Sequence, residues 1–104
     1  MARWVPACAT ADIPPEDVVP FDHEGRAYAV YHSPDGQFYA TAGQCTHEQE
    51  LLCDGLVSGR VIECPIHNGR FDYVTGQALG APAIVDIRTF PTRVEGDTVY
   101  IEVP

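Results

Sequence analysis

Apolar and polar residues alternate most clearly near the end of the chain, in "TVYIEV", where Val99, Ile101 and Val103 would line one face of a strand. Other short strand-like segments are separated by Gly and Pro at roughly the 8–12-residue spacing of all-β domains. With "TVYIEV" itself (Thr98–Val103), the predicted strands are Trp4–Cys8, Asp17–Phe21, Arg26–His32, Phe38–Ala42, Val85–Arg88 and Thr92–Val94. The one helical signal is a single turn from Ile13 to Asp17, with Pro14 and Pro15 early in it. The pattern predicts an all-β fold, an antiparallel sandwich or barrel.

The segment from about Gly43 to Ala83 differs from the rest of the chain. It holds most of the glycines together with Pro65 and Pro82, and its apolar runs are brief. We therefore expect one domain spanning residues 1–104, in which residues 43–83 form a small loop-rich subdomain inserted in the β base.

The charge balance narrows the choice of partners. The net charge is -9, and all six positive side chains are arginines. Such a chain repels phosphate backbones and anionic lipids, so neither nucleic acid nor a membrane is expected to bind, whereas a basic protein surface suits it.

The start, "MARWVPACATADIPPEDVV", lacks the apolar run of a signal peptide, which leads us to expect a cytoplasmic protein. Thiols stay reduced in the cytoplasm, so clustered cysteines there are typical of metal sites or catalysts.

Two Cys/His pairs dominate the inserted segment. Cys45 and His47 are separated by one residue and Cys64 and His67 by two, with sixteen residues between the pairs. Pro65 and Gly69 supply turns that would let the side chains of the second pair converge. The two pairs are therefore the candidate metal ligands, one thiolate and one imidazole from each of two loops.

Two kinds of metal site use this donor set. Two cysteines and two histidines can hold one zinc ion tetrahedrally, or a two-iron, two-sulfide cluster with both cysteines on one iron and both histidines on the other. Structural zinc sites usually pair like ligands and use a helix, neither of which the sequence offers, so the spacing favours the mixed-ligand cluster. Cys8 and Cys53 are expected to be small packed side chains rather than ligands, and His23 and His32 to be solvated.

The ligand motif, "CTH", sixteen residues and then "CPIHNGRFDYVTGQALGAP", resembles that of the Rieske iron–sulfur proteins, above all the ferredoxins of bacterial aromatic-ring-hydroxylating dioxygenase systems. The resemblance covers most of the chain, including "IRTFPTRVEGDTVYIEV". It implies a [2Fe-2S] cluster bound by Cys45 and Cys64 on the inner iron and by His47 and His67 on the outer iron. It also implies a third loop over the cluster at Gly80-Ala81-Pro82.

Differences within the family indicate the branch. Respiratory Rieske proteins carry an extra cysteine in each ligand loop, joined as a disulfide, and the matching positions here are Glu50 and Ile66. A terminal oxygenase subunit would need a further catalytic domain. The resemblance therefore implies a monomeric electron carrier, not an enzyme, that links an NAD(P)H-dependent flavoprotein reductase to a terminal oxygenase. A nitrite-reductase small subunit and a zinc-stabilised interaction module are the alternatives.

Overall fold

The computed structural model describes residues 3–46, 51–65, 69–80 and 85–104, and strands make up nearly all of its regular structure. These ranges contain two short 3-10 turns, Thr10–Asp12 and Leu52–Asp54, and no α-helix. The strands are β1 Arg3–Ala9, β2 Asp17–His23, β3 Arg26–His32, β4 Phe38–Ala42, β5 Leu56–Ser58, β6 Val61–Glu63, β7 Arg70–Asp72, β8 Ala78–Gly80, β9 Thr89–Phe90, β10 Thr92–Glu95 and β11 Thr98–Val103. None of the described helices has the length and apolar character needed to cross a membrane.

The strands form three antiparallel sheets. The terminal sheet has the order β1-β11-β10, the central sheet β2-β3-β4-β9 and the meander sheet β5-β6-β7-β8. Pro6 and Pro20 both lie in edge strands, where a missing backbone donor is tolerated, and the β1–β11 register shifts just after Pro6. The predicted all-β antiparallel fold is therefore confirmed.

The central sheet is buried on both faces. Four consecutive β3 residues, Tyr28 to Tyr31, are buried, although a strand with one wet face would alternate. One face packs on the terminal sheet in what we call the terminal core: Ile13, Tyr28, Val30, Ala40, Phe90, Val99, Ile101 and Val103. The opposite face packs on the meander sheet in what we call the cysteine core: Val18, Ala29, Tyr31, Cys45, Leu52, Ile62, Cys64, Phe71, Tyr73 and Ile87. One strand thus contributes to both cores.

The strand predictions outside the inserted segment are largely confirmed. Strands β1, β2, β3, β4, β10 and β11 include the predicted ranges, and Val99, Ile101 and Val103 share one buried face. The helical turn is wrong in position, since a 3-10 turn forms at Thr10–Asp12 instead. The Asp12 carboxylate accepts a hydrogen bond from the Ala9 N–H, and Glu16 takes a φ of 61°, which no helix continues through.

The predicted strand Val85–Arg88 is also wrong. These residues run irregularly before β9, because their backbone groups bond to different elements rather than to one partner strand. The short strands β5 to β8 lie in the segment that the sequence led us to expect as loops.

His32 is less solvated than its sequence context indicated. Its Nδ1 lies 2.7 Å from the Ile13 carbonyl oxygen, and its ring stacks on Phe38 with the centroids 4.2 Å apart. His23 is also only partly exposed and stacks on Phe21. Both imidazoles serve local packing of the β base.

Gly76 provides a test of how the central and meander sheets are joined. Its φ is +85°, and an added Cβ would lie 2.2 Å from the Ile87 carbonyl oxygen. Gly96 has a φ of +60° with nothing within 4 Å of an added Cβ, so Gly96→Ala is a matched control that tests backbone strain alone. Left-handed strain costs roughly 1–2 kcal/mol. We expect Gly76→Ala to lower the thermal midpoint clearly more than Gly96→Ala does, and equal shifts would mean that the Ile87 contact is unimportant.

Candidate metal centre

The first ligand loop leaves the central sheet at the end of β4 and returns to the same place. The Gly43 N–H donates to the Ala27 carbonyl at 2.9 Å, and the Leu52 N–H donates to the Gly43 carbonyl at 2.8 Å. Gln44 and Leu51 form an isolated antiparallel bridge. Gly43 is required here, since a Cβ would lie 2.8 Å from the Ala27 carbonyl carbon. Cys45 therefore stands at the base of a closed loop.

The second ligand loop connects β6 to β7 in the meander sheet. Cys64 directly follows β6, and its N–H donates to the Gly69 carbonyl at 2.7 Å, just before β7 begins at Arg70. Ile62 and Phe71 face each other across β6 and β7 and are both fully buried. The pairing of these strands thus holds the base of the second loop, and Cys64 with it, against the cysteine core.

The two cysteines of the predicted ligand set come together. Cys45 is 5 % exposed and Cys64 is 1 % exposed, and both belong to the cysteine core. His47 and His67 lie outside the described residues, as do Glu48, Glu50, Ile66, Ala81 and Pro82. Within the described ranges no three His, Cys, Asp or Glu side chains form a metal-binding group. The structure therefore places the two thiols in the same buried core, each at the base of its loop.

The other two cysteines lie elsewhere and take no part in a disulfide. Cys8 is half-buried against the terminal core, and Cys53 packs at the margin of the cysteine core. Burial raises the pKa of both thiols, and Asp54 adds to the effect at Cys53. A raised pKa disfavours the thiolate form that binds metals.

A tyrosine stack fills the cysteine core on the side of the central sheet. The rings of Tyr31 and Tyr73 are nearly parallel, 6° apart, with centroids separated by 4.4 Å. The Thr41 hydroxyl donates to the Ala42 carbonyl, so the Tyr31 hydroxyl donates to Thr41 at 2.8 Å. The Tyr73 hydroxyl donates to the Gly59 carbonyl, and burial raises the pKa of Tyr73 to about 12. The stack therefore adds bulk with satisfied hydroxyls and introduces no charge beside the thiols.

Segment 85–88 is a site feature that sequence reasoning missed. The Thr46 hydroxyl donates to the Val85 carbonyl at 2.8 Å, and the Asp86 carboxylate accepts from the Ala78 N–H at 2.9 Å. The Ile87 N–H donates to the Gly76 carbonyl at 2.8 Å, and the Arg88 carbonyl accepts from the Ala42 N–H at 2.9 Å. In the sequence, the one feature that could have indicated this arrangement is the hydroxyl residue Thr46 between Cys45 and His47.

The donor set fits a cluster with two different ends. Two buried thiols share one core, and in sequence each is followed within three residues by an imidazole. The same four donors suit a single zinc ion, so chemistry alone leaves both metal sites open.

Comparisons with known proteins resolve the family. Residues 3–91 match the model of the Rieske [2Fe-2S] domain. The ferredoxin component of the naphthalene 1,2-dioxygenase system from Pseudomonas aeruginosa is 44% identical over 100 residues, which cover 96% of this chain and 95% of that protein.

Solved structures show the same likeness. The Sphingomonas yanoikuyae B1 ferredoxin superposes with a TM-score of 0.91 at 36% identity, covering 98% of this chain and 100% of that one. The ferredoxin-type chain in the complex of reduced oxygenase and oxidized ferredoxin in carbazole 1,9a-dioxygenase gives a TM-score of 0.89 at 37% identity, covering 94% and 91% of the two chains. With its β architecture and paired buried cysteines, the chain belongs to the family of Rieske [2Fe-2S] domain proteins.

Proposed function

We propose that this chain is the ferredoxin component of a ring-hydroxylating dioxygenase system, an electron carrier that catalyses no bond change itself. The observation that carries the proposal is the pair of buried cysteines in one core, in a chain 44% identical over nearly its whole length to such a component. The alternative of a nitrite-reductase small subunit has less support, because relatives at this identity are named as ferredoxin components. The zinc alternative has less support because the family is defined by its [2Fe-2S] cluster.

Cys45 and Cys64 would hold one iron, and His47 and His67 would hold the other. Within the proposal, residues 43–83 form the subdomain that binds the cluster. When bound, the cluster supplies a one-electron couple in which neutral imidazoles favour the ferrous state of their iron, whereas thiolates favour the ferric state. The described residues contribute by excluding water from the thiol end, since Leu52, Ile62, Phe71 and Tyr73 surround it and are fully buried.

The carrier would move one electron between two proteins. We infer that an NAD(P)H-dependent flavoprotein reductase is the donor and that a terminal oxygenase with its own Rieske centre is the acceptor. Support for the acceptor comes from the carbazole 1,9a-dioxygenase structure, in which a similar ferredoxin is in complex with its oxygenase. The carrier would act as a monomer in the cytoplasm, without binding nucleic acid or membranes, as its net charge of -9 and lack of lysine favour.

Substitution of the two proposed histidine ligands, with Cys53 as a comparison, tests the assignment. We expect His47→Cys and His67→Cys to damage the site, because they change the charge and softness of the ligands on the outer iron. Cys53→Ser should retain two irons and two sulfides per chain, since Cys53 only packs at the edge of the core. Iron and sulfide analysis with an optical spectrum measures all three variants. Loss of both irons from Cys53→Ser would show that the assignment is wrong.

The reduction potential should lie near the low end of the Rieske range, which spans roughly -150 to +300 mV. One reason is that positions 50 and 66 hold Glu and Ile, not the cysteines that form a disulfide in respiratory Rieske proteins. The other is that negative charge near the cluster disfavours the added electron. The acidic residues near the ligands in sequence are Glu48, Glu50, Asp54 and Glu63.

Redox titration at neutral pH measures this potential, and a midpoint well above zero would contradict the argument. Asp54→Asn should raise the midpoint, because it removes an exposed negative charge close to Cys53 and the first loop. Asp97→Asn is the matched control. Asp97 lies in the turn between β10 and β11 of the terminal sheet, whose strands contribute no residue to the cysteine core. The control should leave the midpoint unchanged.

Acidic residues beside the first loop should speed up docking on basic partners. Exposed charges mainly raise the association rate, and their reach shrinks to about 8 Å at physiological salt. Stopped-flow rates of cluster reduction by the cognate reductase should therefore fall as salt rises. Combining Glu48→Gln with Glu50→Gln should flatten that dependence without altering the optical spectrum, whereas Asp97→Asn should retain it. A rate indifferent to salt in the unaltered protein would remove the steering role.

A further inference from the structure

Segment 85–88 connects parts of the molecule that no single strand joins. Its four hydrogen bonds reach Thr46 in the first ligand loop, Ala78 at the start of β8, Gly76 in the turn before β8, and Ala42 at the end of β4. Ile87 lies 3 % exposed in the cysteine core, so the segment is also fixed from inside. The segment therefore joins the central sheet, the meander sheet and the first ligand loop.

Thr46 is the member of this set nearest to the proposed ligands. It stands between Cys45 and His47 in sequence and is exposed, yet its hydroxyl reaches a carbonyl 39 residues further along the chain. On the other side of Cys45, Gln44 bridges to Leu51. Among the described residues, the hydrogen bond from the Thr46 hydroxyl is therefore the side-chain contact that connects this part of the loop to a segment outside it.

Through segment 85–88 the first loop is connected to the second. Asp86 bonds to Ala78, and Ala78 pairs with Phe71 in β7, which follows the second loop. The cysteine core joins the two loop bases from within, whereas this route joins them across the surface.

We propose that Thr46 is a positioning residue, whose hydroxyl holds the first ligand loop on Val85 and so keeps the two ligand loops together around the metal cluster. The inference rests on the proposed function, since it takes Cys45, His47, Cys64 and His67 as the ligands. A net hydrogen bond of ordinary strength changes an opening equilibrium by about two- to tenfold. Iron leaves such a site through opened states, so its release should change by a similar factor.

Thr46→Val tests the inference, because valine keeps the branched shape and removes only the hydroxyl. The measurement is the rate at which iron passes from the purified, loaded protein to an excess of an iron chelator, followed by absorbance. We expect Thr46→Val to release iron about two- to tenfold faster than the unaltered protein. Thr46→Ser retains a hydroxyl and should restore a rate close to the original.

The chain offers a matched control in Thr92. Its hydroxyl donates to the Phe38 carbonyl at 2.6 Å, the same type of bond, between β10 and the start of β4. Thr92→Val should lower the thermal midpoint without accelerating iron release.

Asp86→Ala removes the bond to the Ala78 N–H and is the second variant for the release assay, in case Thr46→Val yields too little loaded protein. It should also release iron faster.

The outcomes separate this inference from the proposed function. Purified protein without iron and sulfide would overturn the proposed function and the inference with it. A normal cluster in the unaltered protein, with the same release rate in Thr46→Val, would overturn the positioning role alone. Equal acceleration in Thr92→Val would also overturn it, because general destabilisation would then account for the effect.

Discussion

Burial of the central sheet on both faces is the constraint on which the rest of the structure depends. Tyr28 and Val30 point into the terminal core, while Ala29 and Tyr31 on the same strand point into the cysteine core. Each fully buried aliphatic or aromatic side chain stabilises a fold by about 1.5–3 kcal/mol, so β3 stabilises both interfaces at once. The meander sheet, with three residues in each strand, is too small to stand alone and depends on this second face.

The position of the metal centre follows from that dependence. Both cysteines lie in the core between the meander sheet and the central sheet. The side chains that pack these two sheets together therefore also enclose the thiol end of the proposed site. A large-to-small change such as Phe71→Ala typically costs about 3–5 kcal/mol in a core, and here the loss would fall in the core that contains Cys45 and Cys64. Under the proposed ligand assignment, packing and cluster binding would therefore be coupled through the same residues.

The sequence predicted the parts of this structure that depend on local pattern. Alternation placed the face of Val99, Ile101 and Val103 correctly, and Cys/His spacing picked out the two cysteines that meet in one core. Segment 85–88 could not be predicted, because its apolar residues match a strand while its hydrogen bonds go to four separate partners. The strands β5 to β8 were missed because three residues are too few for alternation to show, and because their pairing depends on the neighbouring layer.

The polar groups described in and around the cysteine core are hydrogen-bonded or ion-paired. Tyr31 and Tyr73 donate to a hydroxyl and a carbonyl, and the largely buried carboxylate of Asp72 is paired with Arg60, with Nη2 and Oδ2 3.1 Å apart. Asp54, an acidic residue near the proposed ligands in sequence, is exposed. Interactions between exposed charges act through water, affect docking and weaken as the salt concentration rises. A charge in a dry core would act on the redox couple with little screening. The fold therefore packs apolar residues and uncharged tyrosines into the core that holds the thiols, while most of the described acidic side chains are exposed.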